Sequence, residues 1–269
     1  VKYALEERHV MKIVRHPCLV RLLCAFQIEF PTRQWVLVMD YCQGGSLQKL
    51  IVREGEPGLP VRRLHRYAAE TIAALDYLHQ HQILYRDMKP DNVMLTHANH
   101  CQLIDFGLAK AGLEEEGTAS VCGSAGYVAP EIGRYRYGLG VDIYSWGMTM
   151  FVSATGGDSR PDGMGRRTVG PFFGHEVFRS VLRRHKEAAD TGTLEANLYA
   201  LIVDCTHRDP RKRLSCQKIK RHPLFSTVDW EALVAACADA PDPDLQAEGP
   251  RTPPNEQHNR EDQWTFAVA

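Results

Sequence analysis

An α+β chain with a short strand-bearing head and a mainly helical body is what this sequence predicts. Three patterns carry that reading. A β-forming run, Trp35-Val36-Leu37-Val38-Met39, stands near the start. A long amphipathic repeat follows, with Leu64, Tyr67, Ala68, Ile72, Leu75 and Leu78 at helical spacing. Beyond Asp142 the pattern is helical again. In chain order, residues 2–14 read as a helix closed by His16-Pro17. Segments 19–30 and 34–40 read as strands. Gly44-Gly45 punctuates the chain where it would pass into a helix. Residues 61–81 form the long helix, short strands come after it, and further helices are expected near 142–154, 175–188, 195–206 and 214–221. Residues 156–170 hold five glycines and three arginines and read as an exposed loop. Residues 238–269 hold five prolines among many acidic and amide side chains, which argues against a packed core.

The 269 residues suffice for one large domain or two lobes. A hydrophobic share of 44% and a charged share of 24% are those of an ordinary globule. The net charge of −1 gives no electrostatic ground for binding nucleic acid or an anionic membrane. No apolar run approaches a membrane span. The eight cysteines, at 18, 24, 42, 101, 122, 205, 216 and 237, include no Cys-x-x-Cys pair, which argues against zinc. Scattered single thiols fit a reducing cytoplasmic or nuclear setting.

Two short segments carry chemistry. Tyr85-Arg86-Asp87-Met88-Lys89-Pro90-Asp91-Asn92 is followed, thirteen positions after Asn92, by Asp105-Phe106-Gly107. A carboxylate, an ammonium, a carboxamide and a second carboxylate are the polar groups that phosphoryl transfer needs. That reaction leaves little covalent work to the protein, so positioning and charge neutralisation dominate. Asp87 suits acceptance of a hydroxyl proton, Lys89 neutralises the transferring group, and Asn92 and Asp105 offer hard oxygen ligands to magnesium.

These segments closely resemble the catalytic and magnesium-binding loops of eukaryotic protein kinases. The resemblance extends from the first residues to about Trp230. Cys122 to Glu131 resembles the end of an activation segment, closing on Ala129-Pro130-Glu131. Asp142 falls where the family has a buried helical Asp that braces the catalytic loop, and Arg213 where an arginine pairs with Glu131. Tyr85 in place of the usual His, with the His222-Pro223-Leu224-Phe225 and Asp229-Trp230 ending, resembles the AGC group, which includes the cyclic-nucleotide-dependent kinases. The resemblance implies a bilobal protein-kinase fold with a truncated small lobe: residues 1–41 its remainder, 42–230 the large catalytic lobe, 231–269 a C-terminal tail.

It also implies ATP and Mg2+ as cofactors and Ser or Thr hydroxyls of proteins as acceptors, since Lys89 two residues after the catalytic Asp marks serine/threonine kinases. Met39 would guard the adenine pocket, the backbones of Asp40 and Cys42 would take the adenine edge, and Met94 would floor it. Composition alone makes the two methionines ordinary core and Glu7 a solvated helix charge. By alignment, Glu7 matches the helix Glu that pairs with a strand Lys. Neither that Lys nor a Gly-rich phosphate loop precedes it here, so the expectation is a fragment of a longer kinase. A pseudokinase-like binding module is the competing class. Phe106 and Gly107 complete the magnesium loop, and Ser124 supports Asp87 and Lys89. Ser120 is the expected target of an activating kinase, with Arg86 and Lys110 as partners for its phosphate. Of four carboxylates that read substrate arginines in basic-substrate relatives, Asp91 is present, whereas Ser46, Gly126 and Val152 are not acidic.

Overall fold

Amphipathic spacing builds the body of the molecule around one helix. The computed structural model describes residues 2–28, 34–55, 58–113, 117–161, 167–170, 180, 182, 183, 187 and 192–238; at 2–5 and 158–170 it describes the backbone alone. The long helix, called α3 below (Val61–Gln80), buries all six of its expected core positions, from Leu64 to Leu78. It is the common partner of the later helices.

The head comes first. Helix α1 (Lys2–Ile13) precedes an antiparallel pair, β1 (Leu22–Ile28) and β2 (Gln34–Met39). A three-stranded sheet then joins β3 (Gly45–Ser46), β4 (Val93–Leu95) and β5 (Cys101–Leu103), in that order. Leu19 bridges Leu103 in parallel, so the segment leaving α1 is tied to this sheet. Ser46 closes the N-terminus of α2 (Leu47–Glu54) by accepting from the Lys49 amide at 3.3 Å.

Helix α4 (Gly140–Thr155) is buried along almost its whole length between α3 and α5 (Leu194–Cys205). Apolar residues stand on every face of it, as in a helix enclosed on all sides, and its buried hydroxyls and Asp142 are hydrogen-bonded. Trp146 places its one polar atom on a partner, donating Nε1–H to Thr71 Oγ1 at 3.0 Å. Beside it, Gly147 lets the end of α5 approach; a Cβ there would lie 2.7 Å from Thr206 Cγ2. Helices α6 (Cys216–Lys220) and α7 (Trp230–Ala238) pack on α3 from the C-terminal end.

The structure corrects one expectation. Residues 158–161 and 167–170, read as part of an exposed loop, form an antiparallel pair, here β6 and β7 after α4, with Ser159 opposite Val169. Strand pairing uses backbone groups, so the glycines of the segment do not forbid it, and Thr168-Val169 suits an extended backbone. The C-terminal helix was not foreseen, and it begins at Trp230, within one residue of the expected start of the tail. Of the helix expected near 175–188, residues 180, 182, 183 and 187 are described and are helical, whereas the tail from 239 lies outside the described residues. No described helix is long and apolar enough to cross a membrane.

Trp146→Ala should destabilise the fold by about 3–5 kcal/mol, because a fully buried indole leaves a cavity and Thr71 loses its donor. Urea unfolding of the two proteins measures the difference. A loss under about 1 kcal/mol would show that α3 and α4 do not depend on this contact.

Candidate active site

The chain crosses from the end of α3 into the catalytic segment through strained backbone. Arg86 has φ +68° and Asp105 φ +58°, left-handed values that cost a non-glycine residue about 1–2 kcal/mol. Asp142 holds the first of these in place. Its fully buried carboxylate accepts from the amides of Tyr85 at 2.9 Å and Arg86 at 2.7 Å. It also meets His79 Nε2 at 2.9 Å. Burial pushes the His79 pKa down, but hydrogen bonds to Asp142 and Cys216 outweigh it and raise it to about 10. No spacing in the sequence pointed to His79, which lies 63 positions from its partner.

The bend aims Asp87 into a ring of donors. Its Oδ2 takes Lys89 Nζ and Asn92 Nδ2, each at 2.8 Å, while Oδ1 accepts the Ser124 hydroxyl at 2.7 Å. Lys89 also donates to Ser124 at 2.7 Å, and Asn92 Nδ2 reaches the Asp87 carbonyl at 2.9 Å. Four of the expected residues therefore form one connected network. Tyr85 is buried and donates to the Ile104 carbonyl, which ties this loop to the residue before Asp105.

Asp105 sits at the end of β5, positioned by an Ile104 amide bond to the Asn92 carbonyl at 3.0 Å. Its Oδ1 accepts the Gly107 amide at 3.1 Å. Phe106 is fully buried edge-on to Tyr85. Glu7 is buried rather than solvated, because α1 lays it against this loop. Its Oε2 has no hydrogen-bond partner, and the nearest Asp105 oxygen and Gly107 share its surroundings. Burial first, then the Asp105 charge, push its carboxyl up to about 8. Glu7 and Asp105 thus bring two carboxyl groups to the same side of this loop.

Met39 ends β2 and Met94 is the middle residue of β4; both are half-buried, and Met39 packs on the core. Asp40 binds Arg21 through both side chain and backbone, and Cys42 Sγ meets Gln102 Oε1 at 3.2 Å. A cavity of about 560 Å³ opens beside Asp40 and Tyr41, but neither Asp87 nor Asp105 lines it.

Past Asp105, Arg86 Nη1 donates to Ser120 Oγ at 2.6 Å and Nε to the Leu108 carbonyl at 2.5 Å. Lys110 reaches Thr118 Oγ1 rather than Ser120, and Thr118 in turn contacts Ser120. Tyr137, absent from the sequence reading, donates its hydroxyl to the Ser120 carbonyl at 2.5 Å. At the end of the segment Arg213 grips both oxygens of Glu131, at 2.5 and 2.7 Å, in a buried bidentate pair. Arg213 further donates to the carbonyls of His207 and Gly140 and stacks over Tyr144.

A bent loop braced by a buried carboxylate thus carries a four-residue polar network around Asp87. The protein kinase domain matches residues 2–225, and the chain belongs to that family. Its relatives include the RAC family serine/threonine-protein kinase homolog of Dictyostelium discoideum, 32% identical over 240 residues. That match covers 87% of this chain and 50% of the relative. Protein kinase C epsilon type of Oryctolagus cuniculus is 33% identical, over 87% of this chain and 31% of that protein. The cAMP-dependent protein kinase type 3 of Saccharomyces cerevisiae is 31% identical, over 91% of this chain and 59% of that protein. These relatives bear out the AGC-group resemblance. The chain spans between about three tenths and three fifths of the length of these relatives. Kinases of this family use ATP and a divalent metal.

The raised Glu7 carboxyl makes stability fall with pH. A folded pKa above the unfolded one means the native state holds its proton longer, so the benefit is complete below about 4.5 and lost as pH rises through about 8. Glu7→Gln should remove this slope and leave the variant more stable than the parent at pH 8.5, by on the order of 2 kcal/mol. Denaturant unfolding across that range measures it; parallel pH profiles would refute the assignment.

Proposed function

We propose that the protein bearing this chain is a serine/threonine protein kinase that moves the γ-phosphoryl group of ATP to hydroxyls of protein substrates. The observation that carries this reading is the Asp87 carboxylate held by Lys89, Asn92 and Ser124. Magnesium ATP, when bound, supplies the phosphoryl group and offsets the charge on its oxygens. Asp87 orients the acceptor hydroxyl and takes its proton on a carboxylate oxygen. Lys89, 2.8 Å from Asp87, brings a positive charge to the place where the phosphoryl crosses. Asn92 and Asp105 would hold the metal. Asn92 commits Nδ2 to Asp87, so Oδ1 is its ligand end. Glu7 stands beside Asp105 to orient a cation at the nucleotide phosphates, its orphaned Oε2 being the group that needs one.

For the adenine, Met39 and Met94 supply apolar walls. Asp40 gives its amide to the Arg21 carbonyl at 3.1 Å, which leaves its own carbonyl, with the Cys42 backbone, for the base edge. Acceptor proteins and an activating kinase are the partners of this reading. A phosphate on Ser120 would meet Arg86 directly and Lys110 through a short swing from Thr118. Eight free cysteines fit a cytoplasmic or nuclear protein.

Asp87→Asn keeps the shape of the loop and removes the proton acceptor. Phosphate transfer to a Ser/Thr peptide pool should fall about 10²–10⁴-fold, with nucleotide affinity nearly unchanged. Equal activity in a preparation free of other kinases would remove Asp87 from the mechanism. For Ser120, phosphopeptide mass spectrometry of the activated protein should find the phosphate. Ser120→Ala should then lower activated turnover about tenfold or more, the worth of one charge-assisted hydrogen bond. A variant that activates fully would show that the switch lies elsewhere.

A further inference from the structure

Five metal-ligating side chains that phosphoryl transfer does not use meet where four segments cross. Cys18 comes from the segment between α1 and β1, Glu70 from α3, His100 and Cys101 from the entry to β5, and Cys237 from the last turn of α7. Glu70, Cys18, Cys101 and Cys237 are buried and His100 is half-buried. Donor atoms of Glu70, His100 and Cys237 all lie within 4.8 Å of one another. His100 Nδ1 is 2.7 Å from Glu70 Oε1 and 3.5 Å from Cys237 Sγ. Cys18 lies outside that group but close enough that the Cys237 thiol and burial push its pKa up.

We propose that these residues form a structural zinc site, with Glu70 Oε1, His100 Nδ1 and Cys237 Sγ, already grouped, as three ligands and Cys18 Sγ drawn in from outside that group as the fourth. Two thiolates, an imidazole and a carboxylate are the donor set that zinc takes tetrahedrally. With metal–ligand bonds of about 2.0 Å to N or O and about 2.3 Å to S, a tetrahedron has N–S edges of about 3.5 Å and N–O edges of about 3.3 Å. The His100–Cys237 edge already has that length. The His100–Glu70 edge must open by about half an ångström, as expected when a metal replaces the proton between those two atoms. Binding releases the two thiol protons to solvent and moves the imidazole proton from Nδ1 to Nε2, and the site then carries three ligand charges against two on the metal.

The surroundings support the set. Glu70 Oε2 is fixed by the Cys101 amide at 2.6 Å, which orients Oε1 toward the centre as an outer hydrogen bond orients a ligating carboxylate. The 560 Å³ cavity reaches Cys237 along Val20, Gln102 and His97 and provides a way in. A metal here would staple α7 and the segment after α1 to β5, the strand that delivers Asp105 two residues later. Cys-x-x-Cys spacing is absent because each ligand arrives on a different segment.

The test uses the full 269-residue chain, stripped of metal in the presence of reductant and titrated with Zn2+ against a chromophoric chelator, then with Co2+. One tightly held equivalent is expected, with the visible absorption of tetrahedral cobalt and a thiolate-to-cobalt charge-transfer band. Cys18→Ser and Cys237→Ser should each weaken zinc at least about tenfold to a hundredfold, the range for loss of even a supporting residue. Cys24→Ser, an exposed residue of β1, should change nothing. Should the buried variants misfold, the cobalt spectrum of the parent decides alone. No bound equivalent, a thiolate-free or octahedral cobalt spectrum, equal loss in Cys24→Ser, or a Cys18–Cys237 disulfide in the reduced preparation would each overturn the site.

Discussion

One buried carboxylate sets the geometry on which the active centre depends. Asp142 spends its charge on two consecutive backbone amides and an imidazole, not on a substrate. An ionised acceptor makes those bonds stronger than neutral ones, and the absence of water around a fully buried residue keeps them so. That strength offsets the left-handed turn at Arg86, which in turn points Asp87 at Lys89, Asn92 and Ser124. His79 balances the buried charge. Remove the carboxylate and the loop has reason to relax to ordinary φ, taking Asp87 out of its ring of donors.

Three further ties carry this order outward. The Ile104 amide bonds the Asn92 carbonyl, and Tyr85 bonds the Ile104 carbonyl, so the loops holding Asp87 and Asp105 move as one. Arg86 extends the same frame to Ser120. At the far end Arg213 and Glu131 form a buried ion pair in which every Arg213 nitrogen has an acceptor. A pair of this kind adds little net stability over apolar packing, but breaking it leaves a bare buried charge. Its role is to specify where the activation segment ends.

The outer elements were less legible than the centre. Helix α3 could be read from six apolar residues at helical spacing, and α4 and α5 from similar patterns. The β6–β7 pair escaped notice because its backbone pairing leaves no strong side-chain alternation in a glycine-rich stretch. Glu7 was legible only by alignment: among Glu6, Arg8 and Lys12 its composition reads as one more surface charge, and the placement of α1 buries it against Asp105. His79 and Tyr137 make contacts across the fold that no local pattern announces.

By itself, the amino-acid order picked out the candidate reacting groups. Asp87, Lys89 and Asn92 lie within six residues, and Asp105 follows two residues after the next strand but one, β5, so local backbone geometry already restricts where they can stand. Short separations leave few conformations, and chemistry encoded that way can be read without a fold. The Asp142 brace and the Glu131–Arg213 clamp were legible only through the family resemblance, whereas tertiary structure alone decided the burial of Glu7 and the meeting of Glu70, His100 and Cys237. Each of these joins positions tens of residues apart. Their proximity comes from helices packing on α3, and the sum of many weak apolar contacts has no signature at any one position.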